Sequence, residues 1–336
     1  EERDLTDKET EVFKRILNKA LYEGAMGLSS GLGYAHGRHI SNDELKRLVG
    51  VVKESDAIYS THLRNETNNL LDSVEETINI AKETGAKVLI SHLRPLNGYE
   101  SKFDKAMELI DKNLDSANIY FYVYPFDISL NSIYTLLPIW AQERNLETML
   151  YNIRNSEMAL KIERDMPEFN PNDIKIVDAP KNDYLVGKTI AQSAENLGLS
   201  HKAALLKVMD ITGLKAVVAN RNINFDYLVK LLPRERVLIA SNSDSRRSSS
   251  DFVKNERSLN TFPRYLKLAV QNNSMLIEEA IKKITMKPAE LFGLKKRGVV
   301  KERYIADLVL INKSDFGIIR TIVGGGIGGQ ILRHYK

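Results

Sequence analysis

The feature that most constrains the fold is an alternation of amphipathic helical stretches with strand-sized apolar runs, sustained over residues 1–125. Residues 6–23 place Val12, Phe13, Ile16, Leu17 and Ala20 at helical spacing. Residues 24–29 then read as a short buried strand running into a glycine-rich loop. Ser41 is a helix cap, and Glu44 three positions on completes a capping box for a helix over 42–54. Ile58-Tyr59-Ser60-Thr61-His62 is a second strand. A helix over 69–84 ends at Gly85, residues 87–91 form a third strand, and a helix over 101–114 precedes a fourth strand that Pro125 halts. Helices alternating with strands in this way predict parallel α/β architecture.

The rhythm changes after residue 125. Residues 128–235 read mostly as helices and loops, with a helix at 202–211 and short strand candidates at 174–178 and 215–219. A buried strand returns at 236–241 and a helix at 274–286. Strands at 306–311 and 318–323 suit a small accessory sheet, so we expect one unit over 1–300, with an insertion at 128–235, and another over 301–336.

With 336 residues, 43% hydrophobic and 27% charged, the composition is that of a globular chain. The net charge of +4 comes without a clustered basic stripe, which argues against nucleic acid as a partner. No apolar run reaches the roughly 18 residues of a membrane helix, and a cytoplasmic setting is the expectation. There is no cysteine, so neither a disulfide nor a thiol nucleophile is available within the chain.

Two histidines end adjacent expected strands in matching strings, Thr61-His62-Leu63-Arg64 and Ser91-His92-Leu93-Arg94, 30 residues apart. In a parallel barrel, strand C-termini converge on the face that carries the active site. The pair therefore reads either as two ligands of a shared metal or as two rim imidazoles satisfied by hydrogen bonds. Asp244, just beyond the strand at 236–241, can bind a metal, shuttle a proton or merely cap a turn. Tyr34 and Tyr124 can offer hydroxyls to a ligand or simply pack, and Arg257 can meet a carboxylate or solvent. Gly324, Gly326 and Gly329 spell G-x-G-x-x-G, but only seven residues follow. The dinucleotide fingerprint needs a helix and a later acidic residue, so a tight turn between strands is expected.

Assembled, the strings resemble the D-aminoacylase (N-acyl-D-amino-acid deacylase) branch of the amidohydrolase superfamily. They include Gly24-Ala25-Met26-Gly27-Leu28-Ser29-Ser30-Gly31-Leu32, Thr61-His62-Leu63-Arg64-Asn65-Glu66, Ile90-Ser91-His92-Leu93 and Tyr124-Pro125-Phe126. Thr261-Phe262-Pro263-Arg264 and Ile305-Ala306-Asp307-Leu308-Val309 continue the likeness across nearly the whole chain. The resemblance implies a metal-dependent amide hydrolase on a (β/α)₈ TIM-type barrel joined to a small β-sandwich. It implies zinc held by His62 and His92, a further cysteine ligand from an early strand, and an aspartate acid/base after the last barrel strand. It also implies substrate contacts from Tyr34, Tyr124 and Arg94, with Arg257 on the α-carboxylate of a small N-acyl amino acid.

Two departures accompany it. The chain begins near the fourth barrel strand, with no His-x-His and no cysteine, and five strands cannot close a barrel. A preceding segment or a second chain is therefore expected to complete it. A gapless match also puts Asn242 where the family has its aspartate, with Asp244 two residues later. These departures keep two alternatives open: a non-catalytic binding or scaffold protein, and a cyclic-amide hydrolase of the hydantoinase or dihydropyrimidinase kind.

Overall fold

The computed structural model describes residues 3–142, 145–243, 252–271 and 275–327. Helix and strand alternate from the start: α1 (Asp7–Tyr22), β1 (Gly27–Gly31), α2 (Asn42–Glu54), β2 (Ile58–His62), α3 (Leu70–Thr84), β3 (Lys87–Ile90), α4 (Glu100–Lys112) and β4 (Ile119–Val123). An excursion follows, with β5 (Ser129–Ser132), α5 (Leu146–Arg154), α6 (Ser156–Asp165), β6 (Ile174–Asp178), α7 (Ile190–Leu197), α8 (His201–Ile211), β7 (Val217–Asn220) and α9 (Phe225–Leu231). The chain then regains the first sheet with β8 (Val237–Ile239), and α10 (Phe252–Gln271), α11 (Ile277–Ile284) and α12 (Met286–Leu291) come next. The last described elements are β9 (Leu308–Ile311), β10 (Ile318–Val323) and β11 (Gly326–Ile327).

Local chemistry explains the boundaries. Thr6 and Glu9 form a full capping box on α1, and Gly85 closes α3 at φ 67°, a left-handed angle that glycine adopts without strain. At α2 only half of the expected box forms. Ser41 accepts from the Glu44 N–H at 3.2 Å, but the Glu44 carboxylate turns to the Leu5 N–H at 2.9 Å, tying the lead-in of α1 to α2. Gly324 and Gly325, both at positive φ, make the tight turn between β10 and β11.

The main sheet is parallel and runs in the order β1-β2-β3-β4-β8. Its two faces follow the period-two pattern. Tyr59, Val88, Ile90, Phe121, Val123, Val237 and Ile239 point to the helices and form the first core with residues such as Val52, Val74, Ile78 and Phe103. Ile58, Leu89 and Leu238 point the other way and pack with Leu291, Tyr120, Tyr122 and Phe292 in an apolar floor. On that same face Ser60 and Ser91 share a hydrogen bond at 3.0 Å. The second core takes side chains from Ile133 to Val218, with Ala35 joining it, around the antiparallel sheet β5-β7-β6. Sequence reasoning missed β5, whose Ser-Leu-Asn-Ser carries little strand propensity and is held by pairing with β7. α9 returns Leu228 and Leu231 to the first core.

The excursion is clasped at its stem. Ile223 donates to the Asp127 carbonyl, Asn97 donates to the Asn222 carbonyl, and Asn224 donates to the Pro95 carbonyl at 2.8 Å. The return end of the excursion thus meets both its departing end and the loop that follows β3.

Candidate active site

The parallel strands end on one side, and the polar residues that the core rejects collect there. His62 is the last residue of β2 and lies on the floor side of the sheet, two positions beyond Ser60. Strict alternation would send His92 to the helix side, because Leu89 and Ser91 already face the floor. His92 instead has φ +38°, which breaks the alternation and swings its ring back. The two imidazoles consequently stand 4.6 Å apart between centroids, nearly perpendicular at 74°. The Tyr34 ring lies 4.7 Å from His62 and the Tyr122 ring 6.1 Å from His92.

Gly33 shows how tightly His62 is seated. A Cβ at that position would come within 2.6 Å of Cδ2 and Nε2 of the ring and 2.8 Å of the Leu63 carbonyl oxygen. Only a residue without a side chain fits there.

Glu66 is the carboxylate at the centre of the cluster. Its Oε1 lies 3.2 Å from His92 Nδ1, and its Oε2 lies 2.6 Å from Arg94 Nη2 and 3.7 Å from His62 Nε2. The loop that delivers it is ordered by Asn65, whose Oδ1 accepts from the N–H groups of Thr67 and Asn69 at 2.9 and 3.0 Å. Sequence reasoning did not single out Glu66. The available signal was its position four residues after His62, in a turn opened by an asparagine.

Arg94 also donates to Tyr124 Oη at 2.9 Å. Tyr124 is 1% exposed, and the Arg257 guanidinium lies 3.9 Å over its ring centroid. Arg257, carried by α10, is itself 0% exposed, and none of its three guanidinium nitrogens has a hydrogen-bond partner among the described residues.

The electrostatics follow from this packing. Burial alone would raise the Glu66 carboxyl, but Arg94 and the His92 hydrogen bond outweigh it and hold it well below the usual carboxylate range. Burial, with His92 and Arg94 close by, pushes His62 down to about 4, so this imidazole is neutral near pH 7. Burial pushes Arg257 below and Tyr34 above their ordinary values. One buried carboxylate thus faces two buried guanidinium groups, and the surplus positive charge sits on Arg257.

Asn242 follows β8 at φ +47°, and its Oδ1 accepts from Tyr122 Oη at 3.3 Å. Asp244 lies outside the described residues. The structure therefore brings together His62, His92, Tyr34, Arg94, Tyr124 and Arg257, with Asn242 joined through Tyr122.

A metal can be tested against the donors present. An ionised Glu66 only accepts, so a His92 protonated at Nδ1 would donate to it and leave Nε2 to ligate. His62 Nδ1 is buried without a hydrogen-bond partner. Two nitrogen donors from adjacent strands thus fit a zinc-type ion. Among the described residues no group of three or more His, Cys, Asp or Glu could hold a metal, whereas catalytic zinc takes three protein ligands.

Comparison with known proteins agrees with this architecture. The Amidohydrolase family pattern matches residues 4–328. N-acyl-D-aspartate deacylase of Alcaligenes xylosoxydans xylosoxydans is 22% identical over 320 residues, covering 93% of this chain and 56% of the relative. N-acyl-D-glutamate deacylase of the same organism is 24% identical over 314 residues, covering 91% and 55%. The chain thus spans little more than half the length of these relatives. Among solved structures, N-acyl-D-glutamate deacylase from Bordetella bronchiseptica, complexed with zinc and a phosphonate inhibitor, superposes with a TM-score of 0.76 at 20% identity. That match covers 98% of this chain and 65% of the other, and it shows the α/β TIM-type fold to which the five parallel strands belong. With its pattern matched from residue 4 to 328, the chain belongs to the amidohydrolase family.

Proposed function

We propose that this chain forms the greater part of a metal-dependent hydrolase that cleaves the amide bond of small N-acyl-D-amino acids. The observation that carries the reading is the paired imidazoles of His62 and His92, 4.6 Å apart, linked through Glu66, Arg94 and Tyr124 to a buried guanidinium with no hydrogen-bond partner among the described residues. His62 and His92 would hold zinc, with the remaining ligands supplied by chain outside this sequence, either a preceding segment or a partner. Bound there, zinc would supply Lewis-acid polarisation of the carbonyl and a water acidified toward neutral pH. Arg257 takes the α-carboxylate, because an anion there compensates a buried guanidinium that has no hydrogen-bond partner among the described residues. Tyr34 covers His62 and limits water at the reacting end. An asparagine amide exchanges no proton in this pH range, which leaves the acid/base role to Asp244 rather than Asn242. The deacylases named above point to D-configured substrates.

The test is release of free amine from N-acetyl-D-methionine and N-acetyl-D-aspartate, compared with their L isomers, by zinc-loaded protein. Turnover of the D forms is expected, with His92→Ala losing both bound zinc and activity. Arg257→Met is expected to raise KM about 10–100-fold, the worth of a charged hydrogen-bonded contact. A folded protein that includes the segment or partner supplying the remaining ligands and still binds no zinc refutes the proposal. Asn242, and the lack of a third ligand among the described residues, favour a second reading, a binding protein without turnover, which zinc-independent binding of the same acids would support.

A further inference from the structure

The proposed reaction assigns roles to the imidazoles and to Arg257 but none to Glu66, the group that touches both sides of the site. Its two oxygens are used differently. Oε1 meets His92 Nδ1 at 3.2 Å, and Oε2 meets Arg94 Nη2 at 2.6 Å. Arg94 continues to Tyr124 Oη at 2.9 Å, and the Tyr124 ring lies under Arg257. Every member of this chain of contacts is buried or nearly so, so each contact acts in a medium of low polarity where it is strong. Glu66 also has no competing role in the described fold: it caps no helix and pairs with no surface cation.

We propose that Glu66 is a positioning residue that joins the two halves of the site: one oxygen fixes His92 as the Nδ1–H tautomer, the other holds Arg94, and an anion arriving at Arg257 is felt at His92 through Tyr124 and Arg94. This rests on the reading of the imidazole pair and Arg257 given above. Its physical basis is general. The partner of one ring nitrogen decides which nitrogen is left as donor, and such partners hold ligating histidines in orientation.

The experiment uses the metal-free protein labelled with ¹⁵N-histidine, at about pH 8, above the ordinary imidazole pKa. Two-bond proton–nitrogen correlations report the tautomer of each ring, and acetate serves as the anion probe. In the wild-type chain His92 is expected to show a protonated Nδ1 and a bare Nε2, with ring signals that move on acetate titration. Glu66→Gln keeps a carbonyl acceptor for His92 but loses the charge that holds Arg94. It is expected to preserve the tautomer and to abolish the acetate response. Glu66→Ala removes both contacts and is expected to switch the ring to Nε2–H. A wild-type His92 protonated at Nε2, or an unchanged tautomer in Glu66→Ala, overturns the positioning role. A wild-type ring deaf to acetate, or an undiminished response in Glu66→Gln, overturns the link. The spectra need neither metal nor turnover, so a chain that shows them and hydrolyses nothing refutes only the hydrolase reading.

Discussion

The two His-Leu-Arg strings that follow β2 and β3 share three letters and part company in space. Along β2 the alternation carries His62 to the floor side, and beyond the strand end Arg64 runs outward to Glu76 on α3 at 2.7 Å and to the backbone oxygens of Arg38 and Ile40. After β3 the left-handed residue at 92 reverses the sense, and Arg94 goes inward to Glu66 and Tyr124. One arginine fastens a loop to a helix and the other builds the site. Identical side-chain chemistry therefore acquires a structural or a functional role from the course the backbone takes beyond each strand, and a match of letters cannot tell the two apart.

The sharpest way to break this comparison is to truncate both arginines. Arg94→Ala strands the Glu66 carboxylate in a buried setting, and the expected loss is about 3–5 kcal/mol of unfolding free energy by urea titration, with activity gone. Next in size is Gly33→Ala. Its methyl would press on the His62 ring, and a displacement of that order is expected to cut the rate of amine release about 10²-fold while circular dichroism stays unchanged. Arg64→Ala, working at a half-buried position, is expected to lower stability by about 1.5 kcal/mol and to leave KM alone, as a fastening role requires. An Arg64→Ala effect on KM would erase the distinction between the two strings.

The smallest effect concerns pH. His62 titrates near 4 in the folded protein against about 6.5 unfolded, so the unfolded chain binds more protons between these values. Its contribution is complete above about 6.5 and declines as pH falls toward 4. Metal-free His62→Gln is therefore expected to show a flatter acid limb in unfolding curves across that window.

Much of the scaffold could be read in the sequence because apolar strands and capped helices are local signals. The parallel strands, the cap at Ser41 and the turn at Gly85 needed no knowledge of partners. β5 and Glu66 did. β5 is a strand only because β7 lies beside it, and Glu66 is a site residue only because Asn65 bends the loop back over two strand ends. The pairing of His62 with His92 was readable as spacing, but the angle that makes it true was not, since His92 is neither glycine nor asparagine. Arg257 stood out by resemblance. Its lack of a hydrogen-bond partner among the described residues emerged only once α10 was seen to cross Tyr124.

The clasp at the base of the excursion carries a consequence of its own. Departure and return are stitched to each other through Asp127 and Ile223, and the return is stitched to the turn that follows His92 and Arg94 through Asn97, Asn222 and Asn224. Beyond that neck the body rests on the rest of the fold at few further points, such as Ala35 in its core and Arg38 on Gln142, so it behaves much as an interchangeable cartridge. Its helices can be traded for others, and the shape presented over the site retuned, without the staves beneath having to shift.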